Sequence, residues 1–309
     1  LLGGVVTTLI TLAPILLSGS WSAFWQQNVV FNGYYAADFL KYIPEMPAHY
    51  LAVLWKNWWL PLLLILSTLV IKQKNWWLLW LLVLASWVSV FTTPIGHYYL
   101  LLMPWLALLA AGGLNFYLKK TERWGKSLSN AISAVAILVI LIAMHTQIVP
   151  QFFLTPTQLN TWIYGYGNPF VESVLVADKI QSLTTPTDKI LVAGSEPQIY
   201  YYAARLSATK FDITYPLIIN TPIREDLQRQ AVADLRKNPP AVIVYSQRGE
   251  SGLWEAGVPR LFIDYIHTIM KEDFTLIGSY YWRNDELIWT ESPSEDELGV
   301  SSLIIFLRQ

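Results

Sequence analysis

The chain has 309 residues, 54% of them hydrophobic and only 14% charged, with 15 Trp and a formal net charge of −1. That composition excludes a disordered chain, and the near-zero charge gives no electrostatic footprint for nucleic acid. The absence of Cys excludes disulfides and thiol nucleophiles, and the four scattered His lack metal-ligand spacing.

The average hides a split. Residues 1–148 carry 8 Lys+Arg, 3 Asp+Glu and 11 of the Trp, whereas residues 149–309 carry 13 Lys+Arg and 19 Asp+Glu. The first half therefore reads as a membrane all-α helical bundle and the second as a small soluble α/β three-layer domain. The boundary is expected near residues 149/150, giving domains 1–149 and 150–309. The opening Leu1-Leu2-Gly3-Gly4 starts inside an apolar run, so the chain reads as the C-terminal piece of a longer protein.

About five transmembrane helices are expected, since about 20 apolar residues cross a bilayer. In chain order they are 1–17, 50–71, 76–91, 97–118 and 128–148. The basic loops holding Lys72, Lys74, Lys119, Lys120, Arg123 and Lys126 would face the cytoplasm. Loop 18–49, the turn 92–96 and everything after residue 149 would then lie outside, making a multi-pass cell-membrane protein with an extracytoplasmic C-terminal domain. Loop 18–49 is too long and too aromatic for a plain connector. It reads either as one wall of a substrate site or as a belt that anchors the bundle. Its chemically able groups are Asp38, Glu45 and His49.

Pro and Gly punctuate residues 150–170 as a linker. Beyond it the pattern predicts a helix over 171–183, a strand over 189–193 and a helix over 196–205. A helix over 222–237 and a strand over 241–245 follow. A helix over 259–270 leads to a strand pair, 274–281 and 286–290, joined near Asn284-Asp285, and 303–307 adds an edge strand. This alternation favours a mainly parallel sheet. Gly194-Ser195, between a strand and a helix, offers an anion cradle or a plain turn and cap; the plain turn is the simpler reading.

His97 is the most informative single residue. It opens an otherwise apolar helix, and its pKa range suits it to donate to a phosphate; an interfacial His facing headgroups is the simpler reading of the residue taken alone. His145, within the fifth apolar run, reads as an interfacial side chain.

Three stretches resemble the GT-C glycosyltransferases, in the branch related to dolichyl-phosphate-mannose protein mannosyltransferases. They are Gly96-His97-Tyr98-Tyr99 with the Leu-rich run through Met103-Pro104 to Ala111, Asp188 to Arg205 (DKILVAGSEPQIYYYAAR), and Asp234 to Val244 (DLRKNPPAVIV). Val30-Phe31-Asn32-x-x-Tyr35 is similar to a loop segment of the same branch. The resemblance implies an enzyme that moves a sugar from a polyprenyl-phosphate sugar donor to a lipid, glycan or protein acceptor outside the cytoplasm. It also implies a catalytic acid in a first outward loop, upstream of residue 1, and a lipid bilayer as surroundings. His97 and Tyr98, with Lys41, become the candidates to stabilise the departing phosphate. Asp38 and Glu45 become the carboxylates for sugar hydroxyls or a divalent metal, and Tyr35 a further binding residue. No cofactor is otherwise called for. A non-catalytic scaffold or a transporter-like protein is the alternative; residues 1–17, 76–91 and 100–118 contain no Asp, Glu, Lys or Arg up to Leu118, which weighs against a transporter.

Overall fold

The computed structural model describes residues 2–39, 61–71, 75–91, 96–247, 253 and 257–309. The chain divides into two compact units, Leu1–Val149 and Pro150–Gln309.

The first unit is helical throughout its described residues. Helix α1 (Leu2–Leu17) is followed by α2 (Trp21–Trp25), a π-helical turn (Gln26–Val30) and α3 (Phe31–Phe39). Residues 61–70 form α4. After it come α5 (Trp76–Val90), a 3-10 turn (Gly96–Leu101), α6 (Met103–Thr121), a second 3-10 turn (Glu122–Trp124) and α7 (Lys126–Phe153). Successive helices are pegged by polar side chains. Trp80 Nε1 donates to Thr68 Oγ1 (3.1 Å), Trp105 Nε1 to Ser86 Oγ (3.0 Å) and Thr121 Oγ1 to Ser129 Oγ (3.1 Å). Each such bond satisfies an indole or hydroxyl group that would otherwise oppose apolar packing. Gly113 lets α6 approach α4 closely: a Cβ there would lie 2.5 Å from the Leu64 carbonyl oxygen. Leu109, Ile65, Trp76 and Val90 are buried in this unit.

The expected membrane bundle is corrected by these elements. Among the described residues no helix is long and apolar enough to cross a membrane. Helix α5 has 15 residues, short of the length a spanning helix needs. The run 97–118 is split by the 3-10 turn, and the helix that follows ends on Lys119 and Lys120. Of the run 50–71 only residues 61–71 are described, and the described part of α7 supplies no such stretch either. The multi-pass location and the loop orientation rest on those spans, and the described residues do not support them. The composition is instead met by apolar side chains turned outward, among them Leu9 and Ile10 on α1, Leu84 and Val88 on α5, and Val135, Leu138 and Ile142 on α7.

The second unit is an α/β domain. After α8 (Pro156–Tyr164) come α9 (Phe170–Leu183), β1 (Lys189–Ala193), α10 (Gln198–Ala203), β2 (Leu206–Ser207), α11 (Tyr215–Ile218) and α12 (Arg224–Lys237). Then follow β3 (Val242–Ser246), α13 (Leu261–Asp273), β4 (Phe274–Arg283), β5 (Glu286–Thr290), α14 (Glu295–Val300) and β6 (Leu303–Arg308). Two of these helices start on capping boxes, Thr155 with Gln158 for α8 and Ser294 with Glu297 for α14.

The strands form one sheet in the order β2-β1-β3-β6-β4-β5. β1 runs parallel to β2 and β3, while β6 is antiparallel to β3 and β4, and β4 to β5. The sheet is therefore mixed, not mainly parallel, and β6 lies inside it rather than at an edge. Its run Leu303-Ile304-Ile305 is buried, as expected of a strand with neighbours on both sides and cover on both faces.

One apolar layer joins Val176, Ala177 and Ile180 of α9 and Ile199 and Ala203 of α10 to Ile190, Val192, Val242, Val244, Leu303 and Ile305 of the sheet. Side chains alternate along a strand, so the buried Leu191, Ile243 and Ile304 point to the other face. Right-handed crossovers put α12 on that face too, because the chain reverses direction between β1→β2 and β2→β3. Leu227, Ala231 and Leu235 of α12 and Phe262, Ile263 and Ile266 of α13 are buried accordingly.

Candidate functional site

Of the residues singled out by sequence, Tyr98 lies in the 3-10 turn Gly96–Leu101 that leads into α6, with His97 beside it in the chain. The turn is held against α5: Tyr99 Oη donates to the Val90 carbonyl (3.3 Å). Tyr98 is 39% exposed, and Leu100, Leu101 and Leu108 are exposed beyond it along the start of α6. Pro104 sits in the first turn of that helix, where its missing N–H costs no hydrogen bond. Tyr35 and Asp38 belong to α3, and the Tyr35 ring stacks on Phe31 with centroids 6.1 Å apart. Lys41, Glu45 and His49 lie outside the described residues. His145 is exposed on α7. Among the described residues no group of three or more acidic or His side chains could hold a metal ion.

The second unit holds a polar cluster that sequence reasoning missed. Between β1 and β3 the chain's course changes side, since β1 leads to β2 on its left and β2 returns to β3 on its right. In open α/β sheets such a switch point makes the crevice at the strands' carboxyl ends the usual ligand position. Here it is filled. Glu196, three residues past β1, is 2% exposed, and Ser246 Oγ at the end of β3 donates to its Oε1 (3.1 Å). Gly194 makes room for this: a Cβ there would meet Ser246 Cβ at 2.6 Å and the Glu196 carboxylate as well.

A second buried acid stands nearby. Glu172, in the first turn of α9, is 1% exposed and accepts from Trp282 Nε1 (2.7 Å) and Ser302 Oγ (3.0 Å). Burial pushes the Glu196 carboxyl up to about 7, and the neighbouring Glu172 adds to the rise. The Ser246 hydroxyl and the backbone N–H groups of Ser195 and Glu196 pull the other way. A carboxyl with that affinity could move protons near neutrality, but its closure to solvent makes it a cross-tie between β1 and β3 rather than an open catalytic acid. The anion cradle at Gly194-Ser195 is excluded on the same grounds, because a carboxylate already occupies it and α10 has only six residues.

Arg205 closes the β1–α10 segment. It is 8% exposed and donates to Thr184 Oγ1 (2.9 Å) and to the carbonyls of Thr184 (2.9 Å), Ala203 (3.0 Å) and Ala204 (3.2 Å). These bonds are all structural. No signal in the sequence pairs Glu196 with Ser246, which are 50 positions apart; the available hint was an acid directly after an apolar strand and a Gly.

A scan against protein-family models finds no match, and no curated protein matches the chain.

Proposed function

We propose that the chain is part of a glycosyltransferase that draws on a polyprenyl-phosphate sugar and passes the sugar to a hydroxyl of a lipid, glycan or protein. The observation that carries this reading is the amino end of α6. Tyr98 is exposed there, His97 precedes it, and the apolar Leu100, Leu101 and Leu108 are exposed further along the chain. A polar head followed by an apolar track is the complement of a phosphate joined to a prenyl tail. The amino end of a 19-residue helix adds partial positive charge where the phosphate would sit. Donors held at that point would stabilise the charge that grows on the leaving phosphate.

The resemblance of three stretches to the GT-C enzymes supports the same reading. Two of them, Asp188 to Arg205 and Asp234 to Val244, supply neighbouring parallel strands, β1 and β3, of one sheet. In this reading the closed Glu196 of the second unit takes no part in chemistry. Titration of the full chain with a polyprenyl-phosphate hexose tests it. His97→Ala and Tyr98→Phe are expected to weaken binding by roughly tenfold and a few-fold, the scale of lost bonds to a charged group. Binding unchanged in both variants would remove this end of α6 from the site.

A further inference from the structure

Next to the close approach of α6 to α4 at Gly113 lies a groove. On α6, Phe116, Tyr117 and Lys120 follow Gly113 at offsets of three, four and seven, so they share its face. On α4 and just after it, Ser67, Val70 and Ile71 follow Leu64 at offsets of three, six and seven. These six residues line this groove of about 580 Å³, within the size range of sites that take small amphiphilic ligands.

The lining is graded. Val70 and Phe116 offer exposed apolar surface, and the Phe116 ring meets Tyr117 edge-on at 5.6 Å. Ser67 already spends its hydroxyl on the Leu64 carbonyl (2.7 Å). Lys120 is exposed and makes no ion pair among the described residues, and Tyr117 is 42% exposed. The charges around this end of α6 are one-sided. Residues 119–126 hold Lys119, Lys120, Arg123 and Lys126 against Glu122 alone.

We propose that this groove binds an anionic lipid phosphate, its chain along Val70, Ile71 and Phe116 and its head on Lys120 Nζ and Tyr117 Oη. The apolar wall accounts for the tail and the uncompensated basic end for the head, since a charge-assisted bond to phosphate is roughly twice as strong as a neutral one. The site is separate from the His97 end: α6 has 19 residues, so the two ends stand about 28 Å apart along its axis. The inference therefore does not rest on the proposed sugar transfer.

The test compares two fluorescent lipids with identical chains, phosphatidic acid and phosphatidylcholine, binding to the full purified chain in a neutral detergent. Phosphatidic acid is expected to bind roughly tenfold more tightly, the scale of one charge-assisted bond. Lys120→Glu should erase that preference, Lys120→Arg should keep it, and Val70→Trp should weaken both lipids by filling the groove. The part of the preference that depends on Lys120 should persist in His97→Ala, which separates failure here from failure of the donor site. Equal binding of the two lipids, or a preference that survives Lys120→Glu, would overturn the proposal. So would displacement of the lipid by inorganic phosphate alone, since that would show an anion site with no use for the tail.

Discussion

Ser246 reaches across from the end of β3 to hydrogen-bond Glu196 beyond the end of β1, so that the crevice where the sheet's strand order reverses is bridged by two side chains 50 positions apart. The bond closes a place that α/β sheets commonly leave open, and it buries an acid whose charge is costly there.

That cost has a sign. The folded-state pKa of Glu196 is about 7 against an ordinary value of 4.5, so the native state holds a proton that the unfolded state has already lost in between. Stability contributed by this proton is full below pH 4.5, declines as pH rises toward 7 and levels off above it. The span corresponds to about 3 kcal/mol. Glu196→Gln keeps the shape without the charge. Chemical denaturation from roughly pH 4 to pH 8 should show a falling stability for the parent chain's second unit and a flatter profile for the variant, with the variant the more stable at the alkaline end.

Arg205 sits in a stretch that resembles a glycosyltransferase segment, yet its hydrogen bonds go to Thr184, Ala203 and Ala204. Arg205→Met should therefore destabilise the second unit by about 2–4 kcal/mol, through lost bonds and stranded carbonyls. Lipid-donor affinity measured at a temperature where the variant remains folded should be unchanged. A lost affinity with intact stability would give Arg205 a binding role instead.

Gly113 is the point where α6 touches the backbone of α4. A methyl group cannot fit without moving one helix, so Gly113→Ala should cost about 1–3 kcal/mol. Gly3 is the control, because a Cβ added there would meet nothing within 4 Å. Gly3→Ala should be neutral or slightly stabilising. Thermal unfolding followed by circular dichroism reads both.

Much of the second unit was legible because its local signals agree. The pattern over 189–193 and 286–290 returned β1 and β5 with the observed bounds. Asn284-Asp285 turns the β4–β5 hairpin with both φ angles positive, 51° and 62°, which Asn and Asp tolerate better than most residues. The end of α12 at Asn238 ahead of two Pro was readable for the same reason. Neighbour relations were not. A run such as Leu303 to Leu307 says strand, but nothing in its periodicity says that it would enter between β3 and β4 and reverse the sheet's direction.

In the first unit hydropathy alone misled. It counts apolar residues without seeing where a helix stops, and the 3-10 turn at Gly96–Leu101 interrupts a run that reads as continuous. Of the candidate site, the exposed Tyr98 at the head of α6 was foreseen as a motif. The Glu196–Ser246 tie and the groove past Gly113 were not, because each depends on residues brought together only by tertiary packing.

Photo-crosslinking with a polyprenyl-phosphate hexose carrying a diazirine on its first isoprene unit is the most direct check on the proposed sugar-donor site. Labelling of the full chain should map to residues 96–108, be competed by unlabelled polyprenyl phosphate and fall by roughly tenfold in His97→Ala at sub-saturating donor. Labelling elsewhere, or labelling that a prenol without phosphate competes equally well, would contradict the assignment of this end of α6 to the donor's phosphate.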